Sequence, residues 1–161
     1  MQGILMTPEL HKAIREGRKT QTRRVIKELG EPDKWELKGK DIFRHWLNET
    51  AFIFKQVETG EEKTIKPRYR GVVYIKEAWA TENQYNHLYN HLKPSEIPRT
   101  AKIFYLLDGY DPFTMGKKRS PLFMMEWMAR DFRKITGVGA ERLNSITLED
   151  CLREGLSLEY G

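Results

Sequence analysis

Short apolar runs with changing periodicity divide the chain into many small elements. The opening Gly3-Ile4-Leu5-Met6 reads as a short buried strand. Thr7 is then placed as a helix N-cap with Pro8 at the first helical position, where a missing N–H costs nothing. Leu10, Ala13 and Ile14 give the apolar spacing of that helix, and Gly17 its stop. Residues 20–26 are β-prone, with Thr20, Thr22, Arg24 and Ile26 on one face. Residues 51–65 predict a hairpin turning at Thr59-Gly60. The strongest strand pattern is 72–79, whose alternation puts Val73, Ile75, Glu77 and Trp79 on one face. A carboxylate on an otherwise apolar face requires a partner, because burying it alone is costly.

Further along, 81–100 is polar and aromatic and predicts a helix plus loop. Residues 103–106 predict a strand ended by Asp108-Gly109. Residues 126–129 fit a short helical turn leading into a long last strand over 132–143. Thr147 caps a final helix with Asp150 at its third position, and Gly155 ends it. On that helix Leu148, Cys151 and Leu152 form the expected buried stripe, with Glu154 at its edge, about 60° from Cys151. There is no internal repeat and no linker-like stretch, so a single domain over 1–161 is expected, of α+β class with a barrel-like sheet and a few short helices.

Composition narrows the classes. In 161 residues, 39% hydrophobic and 32% charged is the balance of a globule with its own core. No apolar run approaches the roughly 20 residues needed to span a bilayer, and the opening residues carry no charged leader. The lone Cys151 excludes an internal disulfide and suits a reducing compartment, so a cytoplasmic protein without membrane attachment is expected. The net charge of +5 is unevenly spread: residues 1–80 hold 17 Lys/Arg against 12 Asp/Glu, whereas 81–161 hold 11 of each. Seven basic residues lie between Lys12 and Lys27 with one acid, Glu16. Such a cluster attracts phosphates, and its plain alternative is a solvated basic face.

Three stretches in order resemble the ASCH family of the PUA-like superfamily, particularly its phage and prophage branch. Gly17, Lys19, Thr22 and Arg24 match its Gly-x-Lys-x-x-Thr-x-Arg signature. Residues 73–79 are similar to its Val-Arg-Glu-Thr-Trp strand. The third stretch runs from Arg119 through Trp127 and Arg130 to Glu141-Arg142-Leu143, then through Ile146-Thr147 to Glu154-Gly155. Residues 27–70 and 81–118 stand as variable insertions. The chain departs from the family at Tyr69-Arg70-Gly71-Val72, where Pro-Gly-Asp is usual. It departs again at Leu122-Phe123-Met124-Met125, where Ile-His-Met-Pro is frequent.

The resemblance implies a PUA-like (ASCH) mixed β-barrel with short flanking helices, whose basic cleft binds RNA or a modified nucleobase. It also implies an alternative, a small amidohydrolase deacylating N-acylated cytidine-type nucleosides with Lys19, Thr22 and Glu154 as catalytic residues. Ribonuclease chemistry and a phage-encoded interaction protein without catalysis stand behind these two. A threonine hydroxyl needs an adjacent base to be a nucleophile, and a lysine serves as that base only in a dry or cationic setting. Because Lys19 and Thr22 fall on opposite faces of an ideal strand, the turn after Gly17 must aim the lysine inward.

For ligand binding, Arg23 and Arg24 are expected to meet phosphates or the cleft. Glu77 is expected to pair with Arg24 or Lys19, or to read a base edge. Trp79 and Trp127 can stack a base, and Arg119 and Arg130 can clamp phosphates. The plain alternatives are core for the tryptophans, a structural ion pair for Glu77 and solvated charge for the arginines. His87 and His91 share a helix face at i,i+4 but lack the companions of a zinc site, so no metal and no cofactor are expected. Oligomeric state leaves no mark in the pattern.

Overall fold

A computed structural model describes residues 1–40, 51–82 and 92–156, which gather into two compact units, each built from two stretches of chain. The first comprises 1–19 and 72–134; the second comprises 20–71 and 135–161. The class is α+β, with mostly sheet and two α-helices among the described residues. No helix among them is long and apolar enough to cross a membrane.

In the first unit, β1 (Gln2–Leu5) pairs in parallel with β5 (Val72–Lys76), and β5 pairs antiparallel with β8 (Phe132–Lys134). Parallel neighbours need a long crossover, and helix α1 (Pro8–Arg15) begins it. The start of α1 is as the sequence predicts: Thr7 is the N-cap, its hydroxyl accepts from the Leu10 N–H, and Pro8 opens the helix. At the other end Gly17 has φ 76°, a conformation glycine adopts without steric cost, and the Lys19 N–H returns to the Ala13 carbonyl.

A second, antiparallel pair, β6 (Trp79–Thr81) with β7 (Ile103–Tyr105), lies over a core of Trp79, Ile97, Met124 and Met128. The predicted strand 72–79 is thus two strands. The chain leaves the first sheet at Glu77-Ala78 and enters the second at Trp79, where the backbone pairs with Arg119.

The second unit holds an antiparallel meander, β2 (Trp35–Lys40), β3 (Phe52–Gln56) and β4 (Glu62–Ile65), with a register shift between Leu37 and Gly39. The hairpin predicted over 51–65 is β3–β4, and Gly60 supplies its positive φ of 74°. Its core is Leu29, Trp35, Phe52 and Phe54, against which Ile26, Ile65, Val138 and Ala140 pack. Helix α2 (Leu148–Arg153) carries the expected capping box, Thr147 with Asp150.

Four expectations are corrected. Residues 20–26 form no strand: the Thr20 and Gln21 N–H groups both donate to the Arg153 carbonyl at the end of α2, in place of a ladder partner. The last strand stops at Lys134, since only residues 132–134 find a partner in β5. The stripe of α2 is not buried, with Leu148 62% and Leu152 39% exposed. The sheets are separate and short, and none closes into a barrel among the described residues. The helix-and-loop reading of 81–100 and the pair His87/His91 fall largely or wholly outside the described residues.

Candidate functional site

In the first unit, charged side chains from four places in the chain converge on one spot. Helix α1 turns His11 onto the same side as Ile14, three positions on, leaving it 1% exposed. Glu77 follows β5 at the break between the two sheets and is 5% exposed. Asp131 precedes β8 and is held beside β5 by the Ile75 N–H, which donates to its carbonyl at 2.9 Å. Asp108 closes the 3-10 turn after β7.

Arg130 ties these acids together. Its Nε and Nη2 donate to the two oxygens of Glu77, both at 2.8 Å, the bidentate geometry that suits a guanidinium and a carboxylate. It also donates to both oxygens of Asp108, and its guanidinium lies 4.0 Å from the Tyr105 ring centre. Burial disfavours the Arg130 cation, but the hydrogen bonds to Glu77 and Asp108 outweigh it and raise its pKa. The same contact, with Arg15 nearby, holds the Asp108 carboxyl below its usual range. His11 completes the cluster: its Nε2–H donates to Asp131 Oδ2 at 2.8 Å, and its Nδ1 lies 3.8 Å from Glu77 Oε2.

Glu77 therefore has the partner its apolar strand face required. That partner is Arg130, reached across 53 residues, where Arg24 or Lys19 was expected. Sequence reasoning passed over His11, Asp131 and Asp108. One sign was present: His11 shares a helix side with Ile14 three positions on, so a polar ring was bound for the interior.

The other predicted ligand residues of this unit divide. Trp79 is completely buried and packs in the core, so it has no face to offer a base. Arg119 lies 5.2 Å from its ring centre, donates to the Leu92 carbonyl, and has its pKa lowered by burial. Arg119 thus serves the core before any phosphate. Trp127 is half-buried and lines an open pocket of about 410 Å³ with Arg99, Met125, Glu126 and Phe132. Lys19 is 6% exposed, which is uncommon for a lysine.

In the second unit Thr22 and Arg24 are exposed. Arg23 is held by three acids: its Nε donates to Glu141 at 2.8 Å, its Nη1 to Glu154 at 3.3 Å, and its Nη2 lies 3.2 Å from Asp150. The hydrogen bond that Arg23 donates to Glu141 leads in raising the Arg23 pKa. Asp150 is pulled down to about 2, first by the Thr147 hydroxyl and backbone and then by Arg23. Of the three residues expected to act together, Thr22 and Glu154 belong to this unit and Lys19 to the other. Comparison with protein-family models, with curated proteins and with solved structures returned no match.

Proposed function

We propose that the chain binds RNA or a modified nucleobase, as its ASCH-like motifs imply, in a PUA-like setting. The observation that supports this best is the pocket beside Trp127. Its volume of about 410 Å³ lies in the usual range for small-ligand sites, about 300–1,000 Å³. Two aromatic side chains, Trp127 and Phe132, line it, the residue type on which bases stack. Glu126 supplies a carboxylate able to accept from an exocyclic amine such as cytosine N4, and Arg99 a cation for a phosphate or carbonyl.

Binding is read by fluorescence titration with cytidine, N-acylated cytidine and a short single-stranded RNA, at two salt concentrations. Stacking is worth about 1–3 kcal/mol per base, so Trp127→Ala should weaken binding roughly tenfold or more. RNA affinity should also fall with salt. Wild-type protein that binds none of the three ligands rejects the proposal, and so does Trp127→Ala binding unchanged.

The amidohydrolase reading is favoured by one observation, the burial of Lys19, since a dry setting is what a lysine base requires. Release of the free acid from N-acylated cytidine, abolished by Lys19→Ala and by Thr22→Ala, is its expected outcome. No release by the wild-type protein rejects it.

A further inference from the structure

We propose that the exposed side of residues 64–70, in the second unit, is a track for the phosphate backbone of single-stranded RNA. The proposal rests on the reading that the chain meets RNA, but it uses none of the residues of the Trp127 pocket.

Burial alternates along this stretch without a break. Lys63, Ile65, Pro67 and Tyr69 are half-buried, whereas Thr64, Lys66, Arg68 and Arg70 are exposed. Alternation of this kind belongs to strands, yet β4 ends at Ile65 and the pattern runs on to Arg70. The inner side chains hold the segment down. Ile65 packs against the core of Trp35 and Phe52, and Lys63 Nζ lies 4.4 Å from the Trp35 ring centre. Pro67 fixes its own φ and keeps Lys66 extended. Beyond it, the Arg68 guanidinium lies 5.4 Å from the Tyr69 ring centre. The far end is pinned too, since the Gly71 carbonyl accepts from the Ile135 N–H at 2.8 Å. A segment tied at both ends presents its cations with little further ordering cost.

The charge is as ordered as the burial. From Lys63 to Arg70 there are four cations and no acid. The acids of this hairpin, Glu58, Glu61 and Glu62, sit at its turn, the opposite end from Arg70. Alternate residues of a chain stand at most about 7 Å apart, close to the separation of successive phosphates along an RNA strand. Lys66 offers a point charge to such a row, and Arg68 and Arg70 each offer a fork that donates to two phosphate oxygens.

Two features choose among polyanions. A segment that lies on an acidic bilayer buries apolar side chains beside its cations. Here Ile65, Pro67 and Tyr69 all lie on the inner side, and the exposed side is polar throughout. The backbone also bends at Arg68. A flexible single strand follows a bent path, whereas a duplex, stiff over about 150 base pairs, does not. A positive track beside aromatic side chains is the usual equipment for single strands held without regard to sequence.

The test is fluorescence-anisotropy titration of the full chain with labelled oligouridylate and with an RNA duplex of the same length, at several salt concentrations. Co-sedimentation with phosphatidylserine vesicles runs beside it. Oligouridylate carries no exocyclic amine, so it makes no call on Glu126. The wild type should bind the single strand more tightly than the duplex. The variant K66Q/R68Q/R70Q should lose at least tenfold in affinity, with circular dichroism unchanged. Its slope of log affinity against log salt should flatten by about 2, each phosphate contact on a single strand contributing roughly 0.7. The control K34Q/K38Q/K55Q removes three charges from exposed positions of the same unit and should keep most of the affinity. If the first variant fails to fold, R68Q alone decides, through a slope flattened by roughly 0.7. Several results overturn the proposal: the track variant binding as wild type, the control losing as much, the duplex bound more tightly, or vesicles bound and oligouridylate not. Wild-type protein that binds cytidine but no oligouridylate rejects the track and leaves the pocket standing. Oligouridylate bound through the track, with no effect of Trp127→Ala on any ligand, rejects the pocket and leaves the track.

Discussion

The two units each gather charge around one arginine, and they do so in opposite surroundings. Arg130 meets Glu77 where the acid is 5% exposed and the arginine 21%. Arg23 meets Glu141, Asp150 and Glu154 where the acids are 49%, 22% and 23% exposed. The chemistry is the same and the consequences differ. Asp108 on one side of Arg130 is 51% exposed, but on the other side Glu77 and His11 are buried, so removing Glu77 strands charge that water barely reaches. Around Arg23, solvent and salt screen the attraction and take over any group left alone. The sequence shows a basic cluster over 12–27 and suggests a phosphate surface. Much of that charge is answered within the protein, since Arg15, Arg18 and Arg23 all pair with acids.

Glu77→Ala breaks the comparison most severely. It leaves the Arg130 guanidinium and His11 without their buried carboxylate, and a loss of about 3–5 kcal/mol is expected in urea unfolding. A loss below 1 kcal/mol would mean that water reaches this cluster.

Thr147→Ala is expected to cost about 1 kcal/mol by removing the cap of α2, and the same hydroxyl holds Asp150 ionised. Because the folded carboxyl titrates at about 2 and its ordinary value is 3.8, its contribution is fully present above pH 4. It is lost as pH falls from about 4 toward 2. The difference between wild type and Thr147→Ala should therefore narrow across that window while the backbone cap bond persists, and curves that stay parallel would show that the Asp150 carboxylate contributes nothing through this hydroxyl.

The smallest effect belongs to Arg23→Ala, expected to change stability by less than about 1 kcal/mol, with the difference shrinking in high salt. A salt-independent loss comparable to that of Glu77→Ala would erase the contrast between the units.

Much of the local structure is legible in the residues. Thr7 with Pro8, Thr147 with Asp150 and the turn at Gly60 are read correctly because caps and turns are local chemistry, settled by residues a few positions apart. The failures lie where a segment's fate depends on a partner. Residues 20–26 have strand-forming side chains, yet Arg153 of α2 takes their first two N–H groups. Trp127 and Trp79 are indistinguishable as aromatic residues in a pattern; only packing puts one at a pocket and the other in the core.

The same division governs the candidate sites. Alternation alone determined that Glu77 faces the interior and must be paired, since burial of an uncompensated carboxylate is forbidden by its desolvation cost. Which groups answer it was decided only by tertiary structure. Arg130 stands 53 residues away, and the histidine beside it is anchored to an aspartate 120 residues along the chain. Contacts of that range leave no periodicity in a sequence. They arise when helix, strand end and loop close around the same buried charge, and the physical reason is that each charge enters the core only in the company of the others.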